Sequence, residues 1–302
     1  MAEDSSWFKT ARELKNMGYK LRAGRWEDAS TGRLSYDPLY EAKMIHQFDH
    51  RWATYGENGE VSRDSTLLEK ADTGFEPTTK YWVPKSEIDK RLNEKDWTKK
   101  WLIGWRNITN ATNERTLIAS VIPRTAAGHS LPLMFVSNDA PLVCCLLGNL
   151  NSLVVDYCER QKLGGTNLTF QFLFQLPVLK PSFYDKSEIE FISTRIIQLV
   201  YTSDSLRSFA LDAGYNGEPF AWDDLARANL RAELDAFYAR AYGLTRDELR
   251  YILDPSDVRG SDHPSETFRV LKNNEIAKYG EYRTRRLVLE AWDRQNSKRR
   301  AA

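Results

Sequence analysis

The sequence predicts an α+β protein, in which a strand-rich lobe with packed helices is followed by a helical C-terminal lobe. Residues 97–136 contain apolar runs that alternate in part with polar residues, as strands do. From residue 186 onward, apolar residues recur at helical spacing. A chain of 302 residues, 41% of them hydrophobic, can bury one large core or two modest ones. We expect a first domain at 1–180, with its strand-rich core at about 97–180, and the helical lobe at 181–302.

The first hundred residues are polar and irregular in pattern, so we expect them to be rich in loops. The charged, glycine-containing stretch 56–80 is typical of a surface loop. Residues 86–96 open with Ser86 and predict a short helix. Strands are then predicted within WLIGWRNIT, LIASVIP and LPLMFVS, with a turn at 125–130.

A single long helix is predicted next, from a cap at Ser137 or Asn138 to about Gln161. Gly164 and Gly165 follow as a C-terminal stop. The segment TFQFLFQLPVL, 169–179, alternates Phe and Leu with polar residues before its prolines, which predicts one strand.

The C-terminal lobe carries three helix signals. Apolar spacing predicts helices at 222–242 and 282–296. Thr245 and Glu248 have the spacing of a capping box in front of LRYIL, which predicts the start of a further helix.

Bulk composition limits the classes of protein. The formal net charge is only +1, so a nucleic-acid contact must depend on local charge. Cys144, Cys145 and Cys158 fit neither a secreted disulfide framework nor a zinc pattern, and we expect buried free thiols. The N-terminus lacks an apolar stretch, and polar residues interrupt the apolar segment 131–155. We therefore expect a cytoplasmic protein.

Several cofactor-binding loops are missing from the sequence. No two glycines lie two positions apart and no glycine precedes a lysine, so there is neither a dinucleotide fingerprint nor a P-loop. No two prolines are adjacent, whereas an amino-methyltransferase holds the flipped base with an Asn/Asp/Ser-Pro-Pro-aromatic loop. We therefore predict no catalytic residue and no cofactor site in this chain.

Two weaker patterns leave metal chemistry open as an alternative. Glu41 and Lys43, with Asp28 or Asp37 upstream, have the Glu-x-Lys half of a metal-dependent nuclease site. His46 and His50 lie four residues apart, but Gln47 stands where a zinc protease needs glutamate, and no third ligand is evident. We predict no metal site from the histidines and keep a small nuclease as the alternative function.

Five segments, in order, carry a resemblance to a known family. RNITNATNERT at 106–116, followed by LIASVIP, resembles the target-recognition region of large single-chain restriction–modification enzymes. Three of the others resemble further elements of the same enzymes: PLYEAKMIHQFDHRW at 38–52, YGLTRDELRYILDP at 242–255 and ETFRVLKNNEIAKYGEYRTRRLVLEAW at 266–292. The segment LLGNLNSLVVDYCERQKLGGTNLTFQFLFQLPVL at 146–179 resembles an element found both in these enzymes and in type I specificity subunits. These segments are spread along the chain from residue 38 to residue 292.

The resemblance is to the TaqI-type C-terminal specificity domain and to the methylases of bacterial anti-phage defence. It implies a domain that recognises specific double-stranded DNA for an adenine methyltransferase. The catalytic half is missing, so the resemblance implies a methyltransferase domain or subunit as partner, with a nuclease or helicase as a further candidate partner. S-adenosylmethionine is then expected on that partner, which flips the target base.

Residue types support candidate DNA contacts. Residues 97–130 contain five cationic side chains and one carboxylate. The Arg, Asn and Thr side chains of this segment suit contacts with guanine, adenine and phosphate, respectively. Glycine would let backbone amides approach a phosphate. The candidate contacts are Lys43, His46, His50, Arg51, Lys99, Lys100, Arg106, Thr109, Asn110, Asn113, Arg115, Thr116, Arg124, Gly165, Thr166 and Asn167.

Structural alternatives stand beside these assignments. The segment 106–116 could be a polar sheet edge or a capping turn. The cationic side chains of Lys43, His46, His50 and Arg51 could form a solvated face. Trp101, Trp105 and the row Phe170–Phe174 are expected in the core rather than as base-stacking surfaces. A third hypothesis for the whole chain is a protein–protein adaptor of a defence complex that does not read bases.

Overall fold

The computed structural model describes residues 3–30, 34–56, 59–263 and 267–301. Within these ranges the strands lie in the N-terminal part and helices dominate from residue 140 onward, which confirms the α+β class. Two compact units alternate along the sequence: unit 1 is 1–107, 119–140 and 200–222, and unit 2 is 108–118, 141–199 and 223–302. The single domain boundary that we expect after residue 180 remains a prediction.

The described residues form ten strands, all before residue 135. They are β1 (Tyr19–Arg22), β2 (Arg25–Asp28), β3 (Ser35–Tyr40), β4 (Ala53–Tyr55), β5 (Ser62–Asp64), β6 (Trp82–Pro84), β7 (Trp101–Trp105), β8 (Ala119–Pro123), β9 (Ala126–Ala127) and β10 (Leu133–Met134). β1, β2, β3 and β6 form an antiparallel sheet in that order, and β9 joins β3 in parallel. β10, β7 and β8 form a second antiparallel sheet, and β4 pairs with β5.

The described residues also form thirteen α-helices. They are α1 (Ala11–Asn16), α2 (Leu67–Ala71), α3 (Lys85–Asn93), α4 (Ala140–Leu150), α5 (Leu153–Lys162), α6 (Phe170–Leu173), α7 (Lys186–Val200), α8 (Arg207–Asp212), α9 (Asp224–Ala241), α10 (Arg246–Leu253), α11 (Ser256–Arg259), α12 (Arg269–Tyr279) and α13 (Arg283–Ala301).

Unit 1 is built on its two sheets. β7 is buried along its whole length between β8 and β10, which explains its continuous apolar sequence. Trp101 and Trp105 are buried there, as predicted. Trp101 donates to Asp212 at 2.7 Å and contacts the Phe209 ring edge-on at 5.1 Å. These contacts join the 200–222 segment to the sheet.

Unit 2 has a helical core. α9 packs along α13, α5 contacts α9 and α10, and α10 also contacts α13. The core between them is apolar, with Leu153, Ala236, Leu253, Val288 and Trp292 among its buried members. The predicted helices at 222–242 and 282–296 correspond to α9 and α13. The capping box of Thr245 and Glu248 is present at the start of α10.

Three predicted elements differ from the structure. The long helix to Gln161 is two helices, α4 and α5, bent by 55° at a break. Ser152 caps α5, and the Leu153 amide donates to the Asp235 carboxylate at 2.8 Å, so the break is fixed by hydrogen bonds. The strand predicted at 169–179 is wrong, because Thr169 instead opens the short helix α6. Six strands lie before residue 85, where we expected loops, and no described residue between 135 and 180 belongs to one of the ten strands.

Candidate nucleic-acid interface

Two segments that are distant in the sequence meet on unit 2. Ile108 and Asn167 form an isolated antiparallel bridge, and the Thr109 amide donates to the Thr166 carbonyl at 3.0 Å. We call residues 108–113 and 164–175 the paired-loop surface. It brings together six of the predicted contacts: Thr109, Asn110, Asn113, Gly165, Thr166 and Asn167. Of these, Thr109 is buried, and its hydroxyl bonds the Thr116 carbonyl.

The first loop is closed by its own hydroxyl and amide groups. The Thr109 hydroxyl donates to the Thr116 carbonyl at 2.6 Å, and the Thr116 hydroxyl donates to the Asn110 carbonyl at 3.0 Å. The Asn110 side chain accepts from the amide and the hydroxyl of Thr112, both at 2.8 Å. The loop therefore has a defined backbone, with Thr112 and Asn113 exposed at its tip.

The guanidinium of Arg160 on α5 holds the loop from below. It donates to the carbonyls of Ala111 at 2.9 Å, Asn113 at 2.8 Å and Glu114 at 2.8 Å. Burial lowers the pKa of Arg160, with the Asp156 carboxylate opposing that effect. Three carbonyls of the segment 111–114, all bound to the Arg160 side chain, fix the loop on the helix.

A buried carboxylate organises this support. Asp156 accepts from Arg115 at 2.6 Å, from Arg160 at 3.3 Å and from the Thr116 amide at 3.1 Å. Arg115 also donates to the Asn151 carbonyl at 2.6 Å. Arg115 and Thr116 are thus buried beneath the loop, and they lie in the interior rather than on the paired-loop surface.

The second loop follows the end of α5. Gly164 and Gly165 are exposed, with open space around each Cα. In the turn of α6, Leu173 is buried and Leu176 follows it into the interior. The Gln175 side chain donates to the Gln171 carbonyl at 3.0 Å, and Lys162 donates to the Gln175 carbonyl at 3.3 Å. The loop is anchored by its leucines and tied by these bonds.

Large apolar side chains lie exposed on the same surface. Phe174 is 79% exposed, Ile108 58% and Phe170 46%. The two phenyl rings lie 5.9 Å apart. The expectation that the row Phe170–Phe174 belongs to the core is therefore wrong for these two residues. In a short helix, residues 173 and 176 share the inner face, which leaves 170 and 174 outside.

The predicted contacts at 50 and 51 are interior residues of unit 1. The Arg51 guanidinium donates to the backbone carbonyls of Asp72 and Thr202, both at 2.7 Å, and of Lys70 at 3.0 Å. His50 is buried, with its Nε2 3.2 Å from the hydroxyls of Ser203 and Ser205. Both side chains hold segments of unit 1 together.

Lys43 and His46 lie nearer the surface of unit 1. The Lys43 ammonium lies 4.5 Å from the centre of the Tyr55 ring and 3.6 Å from the Glu41 carboxylate. His46 packs on the Trp52 ring at 4.3 Å. Glu41, the carboxylate of the nuclease alternative, accepts a hydrogen bond from the Tyr55 hydroxyl. Within the described residues, no three His, Cys, Asp or Glu side chains are grouped as metal ligands.

The remaining predicted cations also belong to unit 1. Arg106 donates to the Ile45 carbonyl at 2.8 Å, and burial lowers its pKa to about 10. Arg124 donates to Asp89 at 3.1 Å and to the Trp97 carbonyl at 2.8 Å. Lys99 donates to the Asn138 carbonyl and lies 4.8 Å from the centre of the Trp101 ring. Lys100, by contrast, is exposed.

Sequence reasoning missed the residues that build the paired-loop surface from beneath. Arg160 and Asp156 carry no motif, and their roles depend on a loop more than forty positions away. Phe170 and Phe174 were identified, but as core. The four-residue spacing of these phenylalanines, with leucine at 173 and 176, is the signal that separates an exposed from a buried face.

Comparisons with known proteins leave the family open. The chain matches no protein-family model, and it has no significant match among curated proteins or solved structures. In the described part of the chain, no single helix is long and apolar enough to cross a membrane. The bent pair α4 and α5 passes that test only by combined length and composition.

Proposed function

We propose that this chain is a double-stranded DNA recognition module and that its paired-loop surface contacts base edges. The observation that carries the proposal is the joining of 108–113 and 164–175 into one surface by the Ile108–Asn167 bridge and the Thr109–Thr166 bond. Residues of both segments are candidate contacts by residue type and lie in stretches that resemble restriction–modification enzymes, and about fifty residues of chain separate the two segments.

The chemistry of the surface suits base reading. Its exposed polar side chains are mainly amides and hydroxyls, namely Thr112, Asn113, Thr166, Asn167 and Gln171. Amide side chains both donate and accept, and they can pair bidentately with adenine. A positively charged surface would instead favour phosphate contacts that carry no sequence information.

The support beneath the loops favours selective binding. The Arg160 and Asp156 bonds hold the first loop before any ligand arrives, so little conformational entropy is lost on binding. The exposed rings of Phe170 and Phe174 add apolar area that can cover a thymine methyl group or stack on an unpaired base.

The module would work with a catalytic partner in the cytoplasm. With a net charge of +1, the chain brings little general attraction to DNA, so the partner would supply much of the phosphate contact. That partner would be an adenine methyltransferase domain or subunit, which binds S-adenosylmethionine and receives the flipped adenine. This assignment rests on the segments that resemble restriction–modification enzymes.

Selection from a pool of random duplex DNA, at two salt concentrations, tests the proposal. We expect a motif that is lost when Asn113 and Asn167 are both replaced by alanine. The matched control is Asn216→Ala, an exposed asparagine of unit 1, which should leave the motif unchanged. Binding without a motif would remove base reading, and absence of binding at both salts would favour the adaptor hypothesis.

A further inference from the structure

We propose that a cleft in unit 1 binds the phosphate ester of a nucleotide. The cleft has a volume of about 420 Å³, within the range of roughly 300–1,000 Å³ of small-molecule sites. Its walls come from the β1–β2 turn, β3, the start of α3, the end of β8 and the 205–208 segment. This inference concerns unit 1 alone and does not depend on DNA reading by the paired-loop surface.

Four cations from three parts of unit 1 line this cleft, against three carboxylates. The cations are Arg25, Lys85, Lys100 and Arg124, and the carboxylates are Asp37, Glu76 and Asp89. Each carboxylate already has a partner within the protein. Asp37 pairs with Arg25, Asp89 with Lys85 and Arg124, and Glu76 lies 3.7 Å from the His50 ring. Four cations against three carboxylates give the lining one net positive charge.

Arg25 and Lys100 supply the donors that remain available. Asp37 is buried and accepts from the Nε of Arg25, which orients the guanidinium. Within the described residues, neither terminal amino group of Arg25 has a hydrogen-bond partner, and Lys100 forms no ion pair. A guanidinium fixed through its Nε presents its outer edge as a fork, a geometry that matches two oxygens of a phosphate.

The backbone of the β1–β2 turn is shaped to place Arg25. Ala23 and Gly24 both have positive φ, 46° and 74°, as a two-residue type I′ turn requires. Alanine is an unfavourable residue in this conformation, and such local strain is found preferentially at ligand sites. Both turn residues line the cleft.

Two further lining residues, Ser205 and Glu76, add hydrogen-bonding groups that suit a nucleotide rather than free phosphate. The Ser205 hydroxyl is fixed by the Ser203 hydroxyl at 2.9 Å and by the His50 ring at 3.2 Å. The Glu76 carboxylate is an acceptor for an amino group, which adenine and cytosine carry and inorganic phosphate lacks. A ligand with both an anionic ester and an amino group matches this set of donors and acceptors.

Titration calorimetry of the full chain with deoxyadenosine monophosphate tests the inference, with deoxyadenosine as the phosphate-free probe. We expect the monophosphate to bind and deoxyadenosine to bind at least about tenfold more weakly, the loss of one charged hydrogen bond. Lys100→Gln should weaken monophosphate binding about tenfold. Lys100 is exposed, so this variant should fold normally. Arg22→Gln, on the same hairpin but outside the lining, is the matched control and should bind as wild type.

Duplex DNA distinguishes a free nucleotide from a DNA backbone as the source of the phosphate. If the monophosphate does not bind, but Lys100→Gln weakens duplex binding and Arg22→Gln does not, the ester belongs to DNA and the site stands. Equal binding of monophosphate and nucleoside would overturn the inference. The inference would also be overturned if Lys100→Gln and Arg22→Gln weakened binding equally, or if Lys100→Gln changed the binding of neither the monophosphate nor the duplex.

Discussion

Replacing Asp156 by asparagine should destabilise unit 2 severely. The carboxylate is fully buried and is the only acidic partner, within the described residues, of the Arg115 and Arg160 guanidinium groups. Asparagine keeps the volume but removes the charge, and it turns one hydrogen-bond acceptor into a donor. Two cations with side chains only 9% and 4% exposed then lose the carboxylate that pairs with both of them.

The expected loss follows from this burial. Breaking a buried ion pair by removing one partner costs about 3–5 kcal/mol, a large share of the roughly 5–15 kcal/mol that stabilises a typical domain. Asp293→Asn is the matched control, since Asp293 pairs with Arg246 at 2.9 Å but is 54% exposed. Loss of such a surface pair costs less than about 1 kcal/mol.

Urea unfolding of both variants, followed by circular dichroism, measures the difference in the free energy of unfolding. Because the network also holds loop 108–113, Asp156→Asn should weaken DNA binding even where the protein remains folded. A loss of stability as small as that of Asp293→Asn would refute the reasoning that this carboxylate organises the paired-loop surface.

Three further predictions concern other sites. Glu159 is buried with no hydrogen bond to either oxygen, and burial raises its pKa from 4.5 to about 7. Between these two pH values the folded protein retains a proton that the unfolded chain releases. The free energy of unfolding should therefore fall by about 3 kcal/mol between pH 4.5 and 7 and level off above pH 7. Urea unfolding at several pH values should show a smaller fall in Glu159→Gln. Phe174→Ala should leave the melting temperature unchanged, because the ring is exposed, but should lower DNA affinity about tenfold in fluorescence anisotropy; equal affinity would remove the ring from the interface. A Cβ on Gly104 would lie 3.0 Å from the Leu131 side chain, so Gly104→Ala should lower the free energy of unfolding in urea by about 1–3 kcal/mol. Gly164 lies in open space, so Gly164→Ala should leave that free energy unchanged. Equal effects of the two substitutions would contradict this packing.

Elements with strong local signals could be predicted from the sequence. The capping box of Thr245 and Glu248 satisfies itself within one helical turn, so it needs no tertiary context. β7 could be predicted because its five consecutive residues are all buried and therefore form an apolar run in the sequence. β1, in contrast, is mostly exposed, and its pairing with β2 leaves little alternation to detect.

Elements fixed by distant partners could not be predicted. The break between α4 and α5 depends on Asp235, which lies more than eighty positions from the Leu153 amide it binds. Arg115 and Asn113 looked alike as candidate contacts, since both are polar residues of one segment. Only the position of Asp156 decides that Arg115 turns inward. Residue type thus identified the paired-loop surface, but not which of its side chains face outward.

Photo-crosslinking tests the central claim most directly, using iodouracil-substituted duplex DNA recovered from the selection and mass spectrometry of the linked peptides. Iodouracil joins preferentially to aromatic side chains that contact the base. If the paired-loop surface reads DNA, crosslinks should fall in 164–175, with Phe170 or Phe174 as acceptor. They should disappear in Phe170→Ala or in Phe174→Ala, whichever residue is the acceptor. Crosslinks confined to other segments of the chain would contradict the account.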